Sequence, residues 1–252
     1  MGSNFIIMKN LASLPMYERP ELNEAHNNFW TLIKYYLSEK KIDHPINLIK
    51  GKAGLKIWEN KNLFLSQTCG LPFRKKLFKH VKYVGTPIYD IKDCPQGYYR
   101  SFFIVKKKNK ALKISDFSDK IFAYNEINSQ SGYAAAYNHL FPKKLWFKKL
   151  VYSGSHKKSV NMVFNEEADI TCIDALTWNT ICSFDEYSKD MIVIDKTIPT
   201  PGLPYITSQF SNISEELYFS IKFAFDNLNQ RDKTLLKLKG IIKLKVAKYL
   251  EV

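Results

Sequence analysis

The stretch from Ser129 to Asp174, SQSGYAAAYNHLFPKKLWFKKLVYSGSHKKSVNMVFNEEADITCID, carries the pattern that decides the fold. Two turns rich in small hydroxyl residues, at 129–132 and 153–156, each precede a predicted helix, and a predicted strand ends at Asp174. The first N–H groups of a helix lack intrahelical partners and lie at the positive end of its dipole, so they bind anions well. The alternative for each turn is a serine that only caps its helix.

Strands and helices alternate at short spacing along the whole chain, which predicts an α/β fold with largely parallel sheets and helices on both faces. Helices are predicted after Pro20, Ser131, Ser155 and Asp174, and from Ser214. The predicted strands are NFIIMKNLASL, LFLSQ, VKYVGTPIY, SFFIVKK, KIFAYNE, KLVYSGS, ADITCID and DMIVIDKT. The basic segment LLKLKGIIKLKVAKYL, at residues 235–250, is predicted as a terminal amphipathic helix with a solvated lysine face.

The composition indicates a globular chain, with 45% hydrophobic residues and a formal net charge of +14. Such a charge suggests nucleic acid as a partner, but only four of the 38 basic residues are arginines, and base and phosphate recognition favours the arginine fork. We therefore expect no nucleic-acid binding. No run of apolar residues is long enough to span a membrane, so no membrane insertion is expected.

The segment SGSHKKSVNMVFNEEADITCIDALTW resembles the second-lobe segment of phosphate/phosphonate-type substrate-binding proteins of ABC transporters. ASLPMY, LSQTCG, VGTPIYD and YRSFFIVKK follow the order expected in that family, so that the resemblance covers about residues 10 to 230. It implies the two-lobed type II periplasmic-binding-protein fold, in which each lobe has a mixed, mostly parallel sheet flanked by helices and the ligand lies in a cleft between the lobes. The lobes would comprise residues 1–100 with 199–252, and residues 101–198. Two hinge strands would lie near 98–101 and 198–202, the second in a segment punctuated by prolines.

The resemblance also implies the candidate ligand-binding residues. Ser129 and Ser131 would hold phosphoryl oxygens, with the N–H groups of Gly132 and Tyr133 beside them. Asp174 would face the other end of the ligand, where a carboxylate repels an anion unless the ligand also carries a cation or a proton. An aminoalkylphosphonate would satisfy both requirements. The remaining candidates are Ser155 and His156 from the second lobe and Tyr17, Tyr89 and the weaker Thr68 from the first. Trp178 would cap an organic cation or simply pack.

The resemblance implies a receptor that captures phosphate or a phosphonate for an ABC permease, as a monomer, without catalysis. The chain shows no P-loop, nucleophile elbow or metal-spaced His/Cys cluster, so no cofactor and no metal are expected. A cytosolic ligand sensor and a vitamin-precursor-type enzyme on the same scaffold remain alternatives.

The resemblance implies a periplasmic or extracytoplasmic location. FIIM, at residues 5–8, is too short for the core of a secretory signal, which leaves a cytoplasmic protein as the alternative. Cys69 and Cys94, in loops of one predicted lobe, could form a disulfide in an exported protein, and the sequence leaves this pairing open. Cys172 and Cys182 are interpreted as small core residues.

Overall fold

The computed structural model describes residues 11–51 and 54–252. The chain divides into two compact units, one formed by Met1–Asp90 with Gly202–Val252 and the other by Ile91–Pro201. The strands are β1 (Leu11–Ser13), β2 (Leu63–Gln67), β3 (Val81–Tyr89), β4 (Tyr98–Tyr99), β5 (Ser101–Lys106), β6 (Ile121–Tyr124), β7 (Lys149–Tyr152), β8 (Ile170–Asp174), β9 (Met191–Lys196), β10 (Thr200–Pro201), β11 (Tyr205–Ser208) and β12 (Leu238–Ile242). The helices are α1 (Asn23–Glu39), α2 (Leu55–Trp58), α3 (Gly70–Lys75), α4 (Ala135–Leu140), α5 (His156–Phe164), α6 (Ala175–Phe184), α7 (Ser214–Asn227), α8 (Gln230–Leu236) and α9 (Ala247–Leu250).

The first unit is built on a five-stranded mixed sheet with the order β1-β2-β11-β3-β12. Strands β1 and β2 are parallel, whereas β11 pairs antiparallel with both β2 and β3. As a result β1, β2 and β3 run in the same direction and their carboxyl ends lie at one edge of the sheet. The predicted first strand is observed as β1, and its earlier part, residues 4–10, lies outside the described residues.

The second unit has its own five-stranded sheet, with the order β7-β6-β8-β5-β9. Residues that alternate along β5 enter two separate cores: Phe103 and Val105 pack with α4, and Ile104 packs with α5 and α6. This alternation follows from the period of two in a strand and places helices on both faces of the sheet. The predicted α/β fold with mixed sheets is therefore confirmed. The prediction that these sheets are largely parallel is wrong: most neighbouring strands are antiparallel, because β5, β11 and β12 run against the strands beside them.

A short antiparallel ribbon joins β4 to β10, with Tyr99 opposite Thr200 and Tyr98 opposite Pro201. These residues coincide with the two segments predicted as hinge strands. Their action as a hinge, and the predicted lobe boundaries at residues 101 and 198, stay predictions.

The prediction of one continuous helix over residues 235–250 is wrong, although its last residues, Ala247–Leu250, are helical as α9. The helix α8 ends at Leu236, where Lys237 takes a left-handed conformation with φ 53°, and the chain continues as strand β12, antiparallel to β3. Leu and Lys alternate here with a period of two, which is the period of a strand and not of a helix. Leu238 and Ile241 are buried by the pairing.

Two predictions about cysteines also need correction. Cys182 is exposed on α6 and is not a core residue, whereas Cys172 is fully buried as predicted. All four cysteines are thiols in the structure, including Cys69 and Cys94, and these two lie in different units. Trp178 is buried in the core beside Ile181, so of its two interpretations packing is the correct one.

Candidate functional site

Three helix N-termini meet at one edge of the sheet in the second unit. Strands β6, β7 and β8 are mutually parallel, with β6 in the middle, so their carboxyl ends lie side by side. Each strand is followed by a helical segment: a π-helical turn at Gln130–Ala134 that continues into α4, then α5, then α6. Carboxyl ends of parallel strands are the usual position of ligand sites in α/β sheets.

The first of these turns is capped by Ser129. Its hydroxyl accepts a hydrogen bond from the N–H of Gly132 at 3.1 Å, and its own carbonyl accepts from the N–H of Ala134. The side chains of Ser129 and Ser131 are both nearly buried. The N–H groups of Gly132 and Tyr133 were both predicted to bind the ligand. The Gly132 N–H is used by the Ser129 cap, whereas the Tyr133 N–H is not part of this cap.

Ser131, His156 and Asp174 form a chain of polar contacts across the three segments. The Ser131 Oγ lies 2.9 Å from the Nε2 of His156, and the same nitrogen lies 3.4 Å from the Oδ2 of Asp174. Burial lowers the pKa of the His156 imidazole, and the neighbouring Asp174 carboxylate partly opposes this by raising it. The imidazole is therefore neutral at neutral pH, and the carboxylate favours the tautomer with the proton on Nε2.

Asp174 has a structural role that sequence reasoning did not assign to it. It caps α6: its Oδ1 accepts the N–H of Thr177 at 2.8 Å, and its Oδ2 accepts the Thr177 hydroxyl at 2.7 Å. The side chain is almost completely buried. Thr177 was missed, although an acidic residue followed three positions later by a polar one is a recognisable helix-start pattern.

The second hydroxyl turn is also an N-cap. The Ser155 hydroxyl accepts the N–H of Lys158 at 3.3 Å. Next to it, Ser153 Oγ lies 2.6 Å from the Oγ of the buried Ser159 and donates to the carbonyl of Tyr124 at 3.1 Å. These bonds tie the loop before α5 to the end of β6, and so hold His156 beside the first turn.

Gly132 is required by close packing at this edge. A Cβ added to it would overlap the Oδ1 of Asn125 and would lie 2.8 Å from the Cγ of Asn125 and 2.9 Å from the Cε1 of His156. Both side chains therefore occupy the space that a Cβ at position 132 would need. Asn125, which directly follows β6, is a further residue that sequence reasoning missed. Its position just after a strand was the available signal.

The Tyr133 side chain belongs to an aromatic cluster. Its ring makes edge contacts with Tyr124 and Trp146, at centroid distances of 5.4 Å and 5.5 Å. Partial burial and the neighbouring phenols raise the pKa of Tyr133. Only its backbone N–H was predicted to contact the ligand, and this packing is compatible with that prediction.

In the first unit, two of the three predicted residues lie in contact. Tyr17 takes a left-handed conformation with φ 67°, and its ring meets the ring of Tyr89 edge-on at 5.5 Å. The buried Gln67, which was not predicted, donates from Nε2 to the Tyr89 hydroxyl at 3.0 Å and to the carbonyl of Leu203 at 3.1 Å. Thr68 is fully buried and its N–H donates to the carbonyl of Pro204. Gln67 and Tyr89 end β2 and β3, and Tyr17 and Thr68 follow β1 and β2, at the shared edge of the sheet.

Among the residues that the structure describes, no group of three or more His, Cys, Asp or Glu side chains is arranged to hold a metal ion. Within the same residues no helix has the length and apolar character needed to cross a membrane.

A family model described as "ABC transporter, phosphonate, periplasmic substrate-binding protein" matches residues 80–249. The chain belongs to this family. The predicted family is thereby confirmed, and with it a class of transporter components whose members bind a substrate for an ABC transporter. No curated protein sequence matches the chain significantly.

Several proteins with solved structures share the fold of this chain, although their sequences are less than 20% identical to it. PhnD1 from Prochlorococcus marinus (MIT 9301), in complex with methylphosphonate, is 18% identical with a TM-score of 0.73, over 96% of this chain and 95% of that chain. A binding protein component of an ABC phosphonate transporter from Pseudomonas aeruginosa, PA3383, is 15% identical with a TM-score of 0.71, over 96% and 84%. The ligand-binding core of GluR0 from Nostoc punctiforme, in complex with glutamate, is 12% identical with a TM-score of 0.58, over 90% and 94%.

Proposed function

We propose that this protein is the solute-binding receptor of an ABC importer and that it captures a small tetrahedral oxyanion, phosphate or a phosphonate. The observation that carries the proposal is the meeting of three helix N-termini at one sheet edge, with the Ser131 hydroxyl and the His156 imidazole beside them. N-terminal N–H groups and hydroxyls are donors, and donors are what an oxyanion requires. The net charge of +14 adds a field that concentrates anions near the protein.

Family membership supports the same ligand class, since the family is one of phosphonate-transporter binding proteins and one structural neighbour holds methylphosphonate. An ABC permease is the implied partner and a periplasmic or extracytoplasmic location the implied compartment. The monomeric state stays a prediction, as do ligand contacts of Tyr17, Thr68 and Tyr89.

The bonds around Asp174 bear on which phosphonate is bound. Both of its oxygens already accept hydrogen bonds from Thr177, and Oδ2 also lies near His156. A ligand amine would have to compete with these contacts. We therefore favour phosphate or a simple alkylphosphonate over an aminoalkylphosphonate.

The test begins with calorimetric titration of the wild-type protein with phosphate, methylphosphonate, 2-aminoethylphosphonate and sulfate. Ser131→Ala removes a hydroxyl that would donate to a charged ligand, a loss of about 1.5–3 kcal/mol, so we expect affinity to fall about ten- to a hundredfold. The exposed Ser183 on α6 offers a matched control, and Ser183→Ala should bind as the wild type does.

Unchanged affinity in Ser131→Ala, with wild-type unfolding behaviour, would remove this turn from the proposed site. Phosphorus NMR of the incubated ligand separates a receptor from an enzyme, because a receptor returns its ligand unaltered. Turnover of any ligand in the panel would overthrow the receptor proposal.

A further inference from the structure

A buried carboxylate lies close to the proposed oxyanion position. Asp174 is 2% exposed, its Oδ2 is 3.4 Å from the His156 Nε2, and this nitrogen is 2.9 Å from the Ser131 hydroxyl. An oxyanion bound to Ser131, as the proposed function requires, would thus lie on the other side of the His156 Nε2 from the carboxylate. Like charges about 8 Å apart at an effective dielectric constant near 20 repel each other enough to weaken binding about thirtyfold for each unit of ligand charge.

The imidazole between the two charges has an unused nitrogen. The Asp174 carboxylate favours a proton on Nε2, which leaves the Nδ1 of the neutral ring as an acceptor. Nδ1 is buried and has no hydrogen-bond partner among the described residues. The same holds for the Oδ1 of Asn125, which is also an acceptor.

These two acceptors lie against the same glycine. The Cε1 of His156, which is bonded to Nδ1, and the Cγ of Asn125, which carries Oδ1, would both lie within 3 Å of a Cβ added to Gly132. Two buried acceptors without a donor are an unfavourable arrangement. A proton on Nδ1 would turn this unpaired acceptor into a donor and would give a positive charge to the ring that lies between Ser131 and Asp174.

We propose that the oxyanion binds together with one proton, which His156 takes up on Nδ1, so that a positively charged ring lies beside both the ligand and the Asp174 carboxylate. The proton comes from the solvent, and no other bond is formed or broken. The protein would thereby take up a doubly charged phosphonate and a proton as a singly charged unit, which makes His156 and Asp174 determinants of the charge that the site accepts. This inference rests on the proposed function.

The other ionisable groups near His156 do not offset the negative charge of the Asp174 carboxylate and the bound oxyanion. Helix α5 packs against β5, β6, β8 and α6. Within the described part of these elements, Asp174 is the charged group that acts on the ring. Lys157, the next residue on α5, is paired with Asp185 at the end of α6 at 2.6 Å. Cys172 on β8 is fully buried, and burial raises the pKa of its thiol, so it stays neutral. The charge of the site therefore depends on His156. Burial keeps the imidazole neutral in the free protein. A bound dianion would raise the pKa of the imidazole, so that the ring takes up a proton.

The experiment is calorimetry of the whole protein with methylphosphonate at about pH 9, in two buffers that differ in ionisation enthalpy. At this pH free imidazole has lost its proton. We expect the heats in the two buffers to differ by the uptake of close to one proton per ligand. The ¹⁵N chemical shifts of the His156 ring should change from the neutral to the doubly protonated pattern when the ligand binds.

Variants assign the proton to its residue. His156→Gln should bind at least tenfold more weakly and take up no proton. Asp174→Asn should also reduce the number of protons taken up per ligand, because the carboxylate that repels the oxyanion is gone. The matched control is His139→Gln, which alters a second His–Asp pair in the same unit. The Nε2 of His139 lies 3.0 Å from the Oδ2 of Asp195. This variant should take up the same number of protons per ligand as the wild type.

The outcomes separate this proposal from the proposed function. Binding of methylphosphonate without buffer-dependent heat would overturn the proton proposal and leave the receptor standing. A neutral ¹⁵N pattern in the complex would place the proton on the ligand and would also overturn it. Absence of binding to every oxyanion tested would overturn both. If His156→Gln does not fold, the wild-type buffer comparison and the ring shifts still decide the question.

Discussion

Replacing Gly132 with Ala tests the packing that holds the proposed site together. The added methyl group would meet three side-chain atoms, among them the Asn125 Cγ at 2.8 Å and the His156 Cε1 at 2.9 Å. The Asn125 amide is flexible, but the His156 ring is held by Ser131 and Asp174, so the ring has to move and its contact with Ser131 is lost.

The magnitude follows from two opposing effects. Overpacking of this kind costs about 1–3 kcal/mol, whereas an alanine in a helical turn is favoured over glycine by up to about 1 kcal/mol. Gly132 does not have a left-handed φ, so the alanine meets no backbone penalty. We expect a net loss in the free energy of unfolding of about 1 kcal/mol, measured by urea denaturation, and at least a tenfold loss of oxyanion affinity.

The double variant with Asn125→Ala provides the control, because it removes two of the three contacting atoms. We expect it to be more stable than the sum of the two single changes predicts, as for residues in direct contact. If Gly132→Ala instead stabilises the protein and binds the ligand as well as the wild type, the reasoning about this site is refuted.

Two further predictions concern stability in the first unit. Tyr249→Phe removes a buried hydroxyl that lies 2.7 Å from the Thr86 Oγ1 and donates to the Gly202 carbonyl at 2.9 Å, so we expect a loss of about 1–3 kcal/mol in urea unfolding. Tyr35→Phe, at an exposed tyrosine, should cost nothing measurable, and equal effects of the two changes would argue against the hydroxyl network. Burial lowers the pKa of His26, so the unfolded chain binds a proton at this residue more readily than the folded protein does. We therefore expect the free energy of unfolding to keep the full contribution of His26 above pH about 6.5. This contribution should decline as the pH falls toward the folded-state pKa. His26→Asn should flatten this decline between pH 8 and 5, and an unaltered pH profile would exclude His26 as its source.

Local patterns allowed much of the fold to be predicted from the sequence. The strands at residues 63–67, 81–89 and 170–174 and the helices that begin near residues 156, 175 and 214 were all read from periodicity and cap residues. The capping bonds of Ser129 and Ser155 join residues three positions apart, which is why a sequence pattern can indicate them. The helix predicted over residues 235–250 fails at Leu238–Ile242, where the alternation of Leu and Lys has the period of two that is typical of a strand.

What the tertiary structure alone decided is how distant residues meet. Ser131 and His156 are 25 positions apart, and they lie within 2.9 Å because β6 and β7 are neighbours with parallel register. The contacts of Asn125 with Gly132 and of Gln67 with Tyr89 likewise depend on which strands pair and on the direction of the side chains at their ends. The sequence by itself determined which segments end in donors and acceptors, because those preferences are local. The strand order of the folded sheet determined which of them share a site, because hydrogen bonds and repulsion act only over a few ångströms.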